Sequence, residues 1–172
     1  MATVGETNIL ANDGIGVTDG YINGHRFQSA GTFTALSMYV NARSTTGAAG
    51  DVVMGIYSDA AGSPDSKQAQ TAEFNIAVAS GGSGEWYGVD LQSGVSITSG
   101  SWYWLIIHSN VAGIGQVQYR GATSGGSLAS SDLGSYSSTL PATFGVPDTT
   151  NSWTGSIYAT SAAASLSPKC VC

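Results

Sequence analysis

At 172 residues the chain has the length of one domain with a sizeable core, and is too short for two ordinary ones. Charged residues make up 9% of it, against about 25% in an average soluble protein, while glycine alone fills 24 positions, so the polar surface has to be built from hydroxyls and backbone. The net charge is −6 and the only fixed cations, Arg26, Arg43, Lys67, Arg120 and Lys169, are scattered, which excludes the basic footprint of nucleic-acid binding; no apolar run approaches the ~18 residues of a membrane span, so no membrane insertion is expected.

Residues 1–19 are polar and interrupted by glycine, and read as an N-terminal arm with room for one short strand. They lack the basic and apolar regions of a signal peptide, which fits a chain made and assembled inside a cell, as virion proteins are, or one whose signal has been removed. Tyr21–Phe27 then places Asn23-Gly24 between two short apolar stretches, the pattern of a two-residue hairpin. Phe33–Val40 alternates as a half-buried strand, with Leu36, Met38 and Val40 on one face. Val52–Tyr57 is a β-branched and aromatic run, and Ser58–Asp65 after it is dense in turn residues. Gln68–Val78 carries Ala72, Phe74, Ile76 and Val78 at period two and reads as one further strand.

Two more strands, Glu85–Leu91 and Trp102–His108, flank Ser99-Gly100-Ser101, where glycine supplies the positive φ of a sharp reversal. Gln116–Arg120 alternates again and Gly155–Thr160 is a closing strand. Between them Gly121–Ser152, with Pro141 and Pro147 as breakers, is expected to form long loops or edge elements and no second core. The apolar period of two throughout predicts an all-β, antiparallel, jelly-roll-like β-sandwich: one domain over 20–160, preceded by the 1–19 arm and followed by a 161–172 tail. Cys170 and Cys172 close that tail, enclose no loop of consequence and are expected to stabilise the domain little, unless they form disulfides between subunits.

Within the 102–109 strand, Trp102, Trp104, Ile106 and His108 project one way, and Tyr103, Leu105, Ile107 and Ser109 the other. Both faces are apolar, so one lines the core and the other needs a cover: an N-terminal segment, a neighbouring subunit or a ligand. Trp86, Trp102, Trp104 and Trp153 are the ligand or interface candidates, because large aromatics either dominate cores and subunit contacts or stack on the C–H faces of sugars. No catalytic residue is assigned. The chain holds no nucleophile elbow, zinc-protease pair or phosphate loop; His25 and His108 have no convergent partner, and Glu73 and Glu85, the carboxylates a glycosidase would need, lie on different predicted strands. No metal site is assigned either, although Asp13, Asp19, Asp59 and Asp65 offer turn oxygens of the kind that hold structural calcium.

With the strands placed, Phe33…Tyr39-Val40, Val52–Asp59, Gly62-Ser63-Pro64, Trp86…Val89…Leu91 and Tyr103-Trp104-Leu105 resemble the jelly-roll β-sandwich modules of virion surface proteins and of secreted carbohydrate-binding-like or adhesion proteins. The resemblance covers about half the chain and implies a non-catalytic, surface-exposed module. Two functions are therefore expected. The first is a structural protein on a virion surface, of the phage capsid decoration or appendage type, partnered by copies of itself or by other virion proteins. The second is an extracellular carbohydrate-binding module cut from a larger enzyme or adhesin, with a glycan as partner; an enzyme using Glu73 or Glu85 comes third.

Overall fold

The structure, a computed structural model, describes residues 1–17, 19–44, 50–76, 84–110 and 117–164, with 12–14 and 17 as backbone only. Among these residues there is no helix, and the strands form two seven-stranded antiparallel sheets that face each other as a β-sandwich. The first sheet is organised on β4 (Phe33–Ser44), which has β8 (Glu85–Ile97) on one side and both β14 (Ile157–Thr160) and β10 (Val117–Ala122) on the other. β1 (Thr3–Gly5) pairs with β14, while β2 (Asn12–Val17) and β13 (Thr154–Gly155) pair with β10. The second sheet runs β12 (Thr149–Asn151), β11 (Leu128–Asp132), β3 (Tyr21–Gln28), β9 (Trp102–Ser109), β5 (Gly50–Ala60), β6 (Ser63–Gln70), with β7 (Phe74–Ile76) also on β5.

The segment expected as an arm thus contributes β1 and β2 to the first sheet. The hairpin expected at Asn23-Gly24 does not form: β3 runs unbroken through it, because β9 and β11 pair with it on both sides and satisfy its backbone. A Cβ at 24 would lie 2.5 Å from Ile106 Cδ1, so any larger residue there would require that side chain to shift. The reversal expected over 58–65 shrinks to Ala61 and Gly62, with φ of 51° and 93°; two successive positive φ values match the twist of the flanking strands, which absorb the remaining turn residues. Leu36 is 41% exposed and off the core face, because a bulge against β8 between Ala35 and Ser37 shifts the alternation by one. The strand expected over 68–78 is divided between β6 and β7, and its Ala77 and Val78 fall outside the described residues, as do Cys170 and Cys172.

The main core lies between the sheets, where Met38 and Val40 meet Met54, Leu105 and Ile107. A second core lies on the outer face of the second sheet, contrary to the sequence expectation. Ile22, Val53, Tyr57, Trp104 and Ile106 are covered there by Leu140 and Phe144, from a strap over residues 133–147. The prolines and glycines of this segment kept it from reading as structured. Its backbone nevertheless tracks β6: Lys67 N–H donates to Ala142 O, and Phe144 N–H to Asp65 O. The Tyr57 hydroxyl donates to Pro141 O at 2.5 Å and Lys67 Nζ to Leu140 O at 2.6 Å, so the strap's carbonyls are satisfied from beneath. Burying the two apolar anchors contributes about 2–3 kcal/mol each. The cover left open between an N-terminal segment, a subunit and a ligand is a late loop of the chain itself.

Candidate functional site

The fold sends the four tryptophans to three places. Trp104 is 2% exposed in the second core, and its Nε1 donates to Asp59 Oδ1 at 2.8 Å. Trp102, two residues earlier on the same face, is 39% exposed at the sheet's end, where the Arg26 guanidinium lies 4.1 Å above its ring centroid. Arg26 is held in turn by both Asp59 oxygens, at 2.7 and 3.0 Å, and the Gly62 N–H reaches Asp59 Oδ2 at 3.1 Å. Burial pushes the Asp59 carboxyl up, but the bonds from Arg26, Trp104 and Gly62 outweigh it and hold the group below its ordinary value. A cleft of about 350 Å³ opens beside this cluster, between Gly62, Trp104, Ser127 and Thr150.

Trp86 lies on the opposite side of the molecule, on the outer face of the first sheet. It meets Tyr158 edge-on, with centroids 5.2 Å apart, and Tyr158 stacks on Tyr39 at 4.8 Å. The registers explain this stripe: Tyr39 pairs with Tyr158 across β14, and Asn41 with Trp86 across β8. Asn41 is buried beside it, and neither atom of its amide has a hydrogen-bond partner among the described residues.

Trp153 stands at the mouth of the sandwich, on a cleft of about 260 Å³. One wall is the inward face of three second-sheet strands, where lateral register lines up Asn23, Ser130 and Thr149 in a row. Tyr21, Leu128 and Asn151 extend this wall, and Ile15 and Gly16 of the first sheet form the other. Asn151 Oδ1 accepts the Trp153 N–H at 3.0 Å, which fixes the loop carrying the indole.

The two histidines hold structure. His25 is fully buried with Nε2 2.6 Å from the Tyr119 hydroxyl, and desolvation of its charged form lowers its pKa to about 3. His108 Nδ1 donates to Tyr21 O at 2.8 Å, which leaves Nε2 bare to accept the Ser137 N–H of the strap at 3.2 Å. Its pKa is lowered by burial, against the opposing influence of the Tyr21 carbonyl and Asp19. Glu73, in the link between β6 and β7, accepts the Tyr136 hydroxyl at 2.7 Å, while Glu85 opens β8 of the first sheet.

Among the calcium candidates, Asp59 is occupied by the donors described above, Asp65 Oδ2 accepts the Ser58 hydroxyl at 3.3 Å, Asp19 is exposed, and the Asp13 side chain lies outside the described residues. No group of three potential ligating side chains forms among the described residues. Sequence reasoning missed Asn23, Ser130, Thr149 and Asn151. The period-two spacing of Tyr21, Asn23 and His25 was available as a signal, but it was masked by the turn signature at Asn23-Gly24. Searches against protein-family models and against curated proteins find no match for the chain, so the functional reading rests on the chemistry of these sites.

Proposed function

We propose that the chain is a non-catalytic structural and binding protein exposed on a virion surface, of the head decoration or appendage type, that works by self-association and surface contacts. The observation that carries this reading is the Trp86–Tyr158–Tyr39 stripe on the outer face of the first sheet. Half-buried aromatics on a flat sheet face are what the centre of a protein–protein contact is made of, and a chain with 9% charged residues has few ions to desolvate there. The histidines support a non-catalytic role, since each is committed to a bond that maintains the fold. Sedimentation of the full chain between about 1 and 100 μM tests the reading. A discrete oligomer that Trp86→Ser dissociates, with unfolding unchanged, is the expected result; a monomer across the range defeats it.

A carbohydrate-binding module is the second reading. Exposed Trp102 beneath Arg26, and the neutral cleft at Trp153, favour it. A monomer retained on polysaccharide would select it over the first.

A further inference from the structure

We infer that the cleft at the mouth of the sandwich is a preformed site for one uncharged sugar residue, the end of a glycan or a free monosaccharide. This names the site and ligand chemistry for the second reading above, and is independent of whether the chain assembles on a virion.

The inference starts from Asn23. Its side chain is 94% buried by its 6% exposure, lines the cleft, and is engaged by no hydrogen bond among the described residues. Its amide oxygen and nitrogen are not sealed from solvent, so the two donor hydrogens and the carbonyl face the open cleft and are free to bond a ligand in place of water. Elsewhere in the second sheet Gln70 finds partners within the chain, in the Leu140 N–H and Ser138 O, while the buried His25 Nδ1 and Ser109 Oγ have none among the described residues but line no cleft wall at the mouth. An unpartnered amide held rigidly at the wall of an open cleft is instead suited to a ligand, because β9 and β11 fix its backbone from both sides.

The surroundings define that ligand. Among the described residues the cleft is lined by no acidic, basic or imidazole side chain, so these offer a carboxylate, phosphate or ammonium no counter-charge. Ser130 and Thr149 continue the row from Asn23, and the three groups both donate and accept. An amide beside hydroxyls matches a vicinal diol, one hydroxyl donating to the amide oxygen and its neighbour accepting from the nitrogen. Trp153, with Ile15 and Leu128, supplies apolar surface for the ring's C–H face. At about 260 Å³ the cleft is just below the size of drug-sized ligand sites, which run from about 300 Å³ upward, so it suits one ring better than a longer segment of chain.

The test is titration of the full-length protein with a panel of neutral monosaccharides, followed by tryptophan fluorescence and calorimetry, with sialic acid as a charged comparison. We expect at least one neutral sugar to bind with a Kd below about 10 mM, and Asn23→Val to weaken it about tenfold or more, the equivalent of one well-formed hydrogen bond. Because the amide has no partner to lose, Asn23→Val should melt at or above the parent temperature. Ser130→Ala, a smaller change, should weaken the same sugar without unfolding the chain and keeps the test valid should Asn23→Val fold poorly. Absence of binding across the neutral panel would overturn the site. So would binding that survives both substitutions and is lost in Trp102→Ala, or preference for the charged sugar. Sedimentation of the same samples separates failure of this site from failure of the assembly reading.

Discussion

The strap-covered face of the second sheet and the mouth of the sandwich are built from similar residues, yet their polar groups end in opposite states. Under the strap, Tyr57, Lys67, Gln70 and His108 all reach strap backbone, and at its margin Asp59 gathers Arg26, Trp104 and Gly62. At the mouth, Asn23 is as deeply buried as Gln70, but its side chain has no partner among the described residues. A polar group satisfied inside the chain contributes to stability, whereas one left open to a cleft keeps its bonds for a ligand. The strap side thus maintains the fold, and the mouth is the side we propose for a small ligand.

The largest expected effect breaks the closed side. Trp104→Ala should cost roughly 3–5 kcal/mol in urea unfolding, since it leaves a cavity between Ile106 and the strap anchors and frees Asp59 of one donor. A loss under about 1 kcal/mol would mean that the strap is not packed on the sheet. Next, Asp59→Ala should cost about 2 kcal/mol, because it strands the Arg26 guanidinium and the Trp104 indole N–H at once. Arg26 and Asp59 retain some solvent contact, which keeps the loss below that of a fully buried pair. Asp59→Asn, which keeps an acceptor, should cost less, and equal losses would show that the charge alone matters.

Acid should loosen both histidine contacts. Each imidazole is held neutral in the fold by burial, with its pKa below the ordinary 6.5. Their stabilisation is therefore complete above about pH 6.5 and is lost as pH falls below it, for His25 continuing to about pH 3. A protonated His108 would also point an N–H at the Ser137 N–H, so the strap end should exchange amide hydrogens faster at pH 5 than at pH 7. Urea midpoints that stay flat from pH 7 to 4 would contradict this. The smallest effect belongs to Trp102→Ala, which removes an exposed ring and one cation–π contact and should cost no more than about 1 kcal/mol by thermal melting.

Much of the fold was legible in particular residues. The alternation on the 102–109 strand assigned Leu105 and Ile107 to one face and Trp104 and Ile106 to the other, and each pair lies in its own core. Leu36 was misplaced because a bulge is a property of two strands, invisible in the periodicity of one. Asn23-Gly24 misled for a related reason: its local preference for a turn was overruled by pairing on both sides.

The sequence by itself determined that the chain builds β-structure around period-two apolar faces, with few ions and two apolar sides to its aromatic strand. Tertiary packing alone brings residues 133–147 back to cover one of those sides, and sets Asn23 in one row with Ser130 and Thr149, more than a hundred positions later in the chain. Side-chain period is a local consequence of backbone geometry, whereas lateral register and loop docking are fixed by the simultaneous packing of elements distant in the chain.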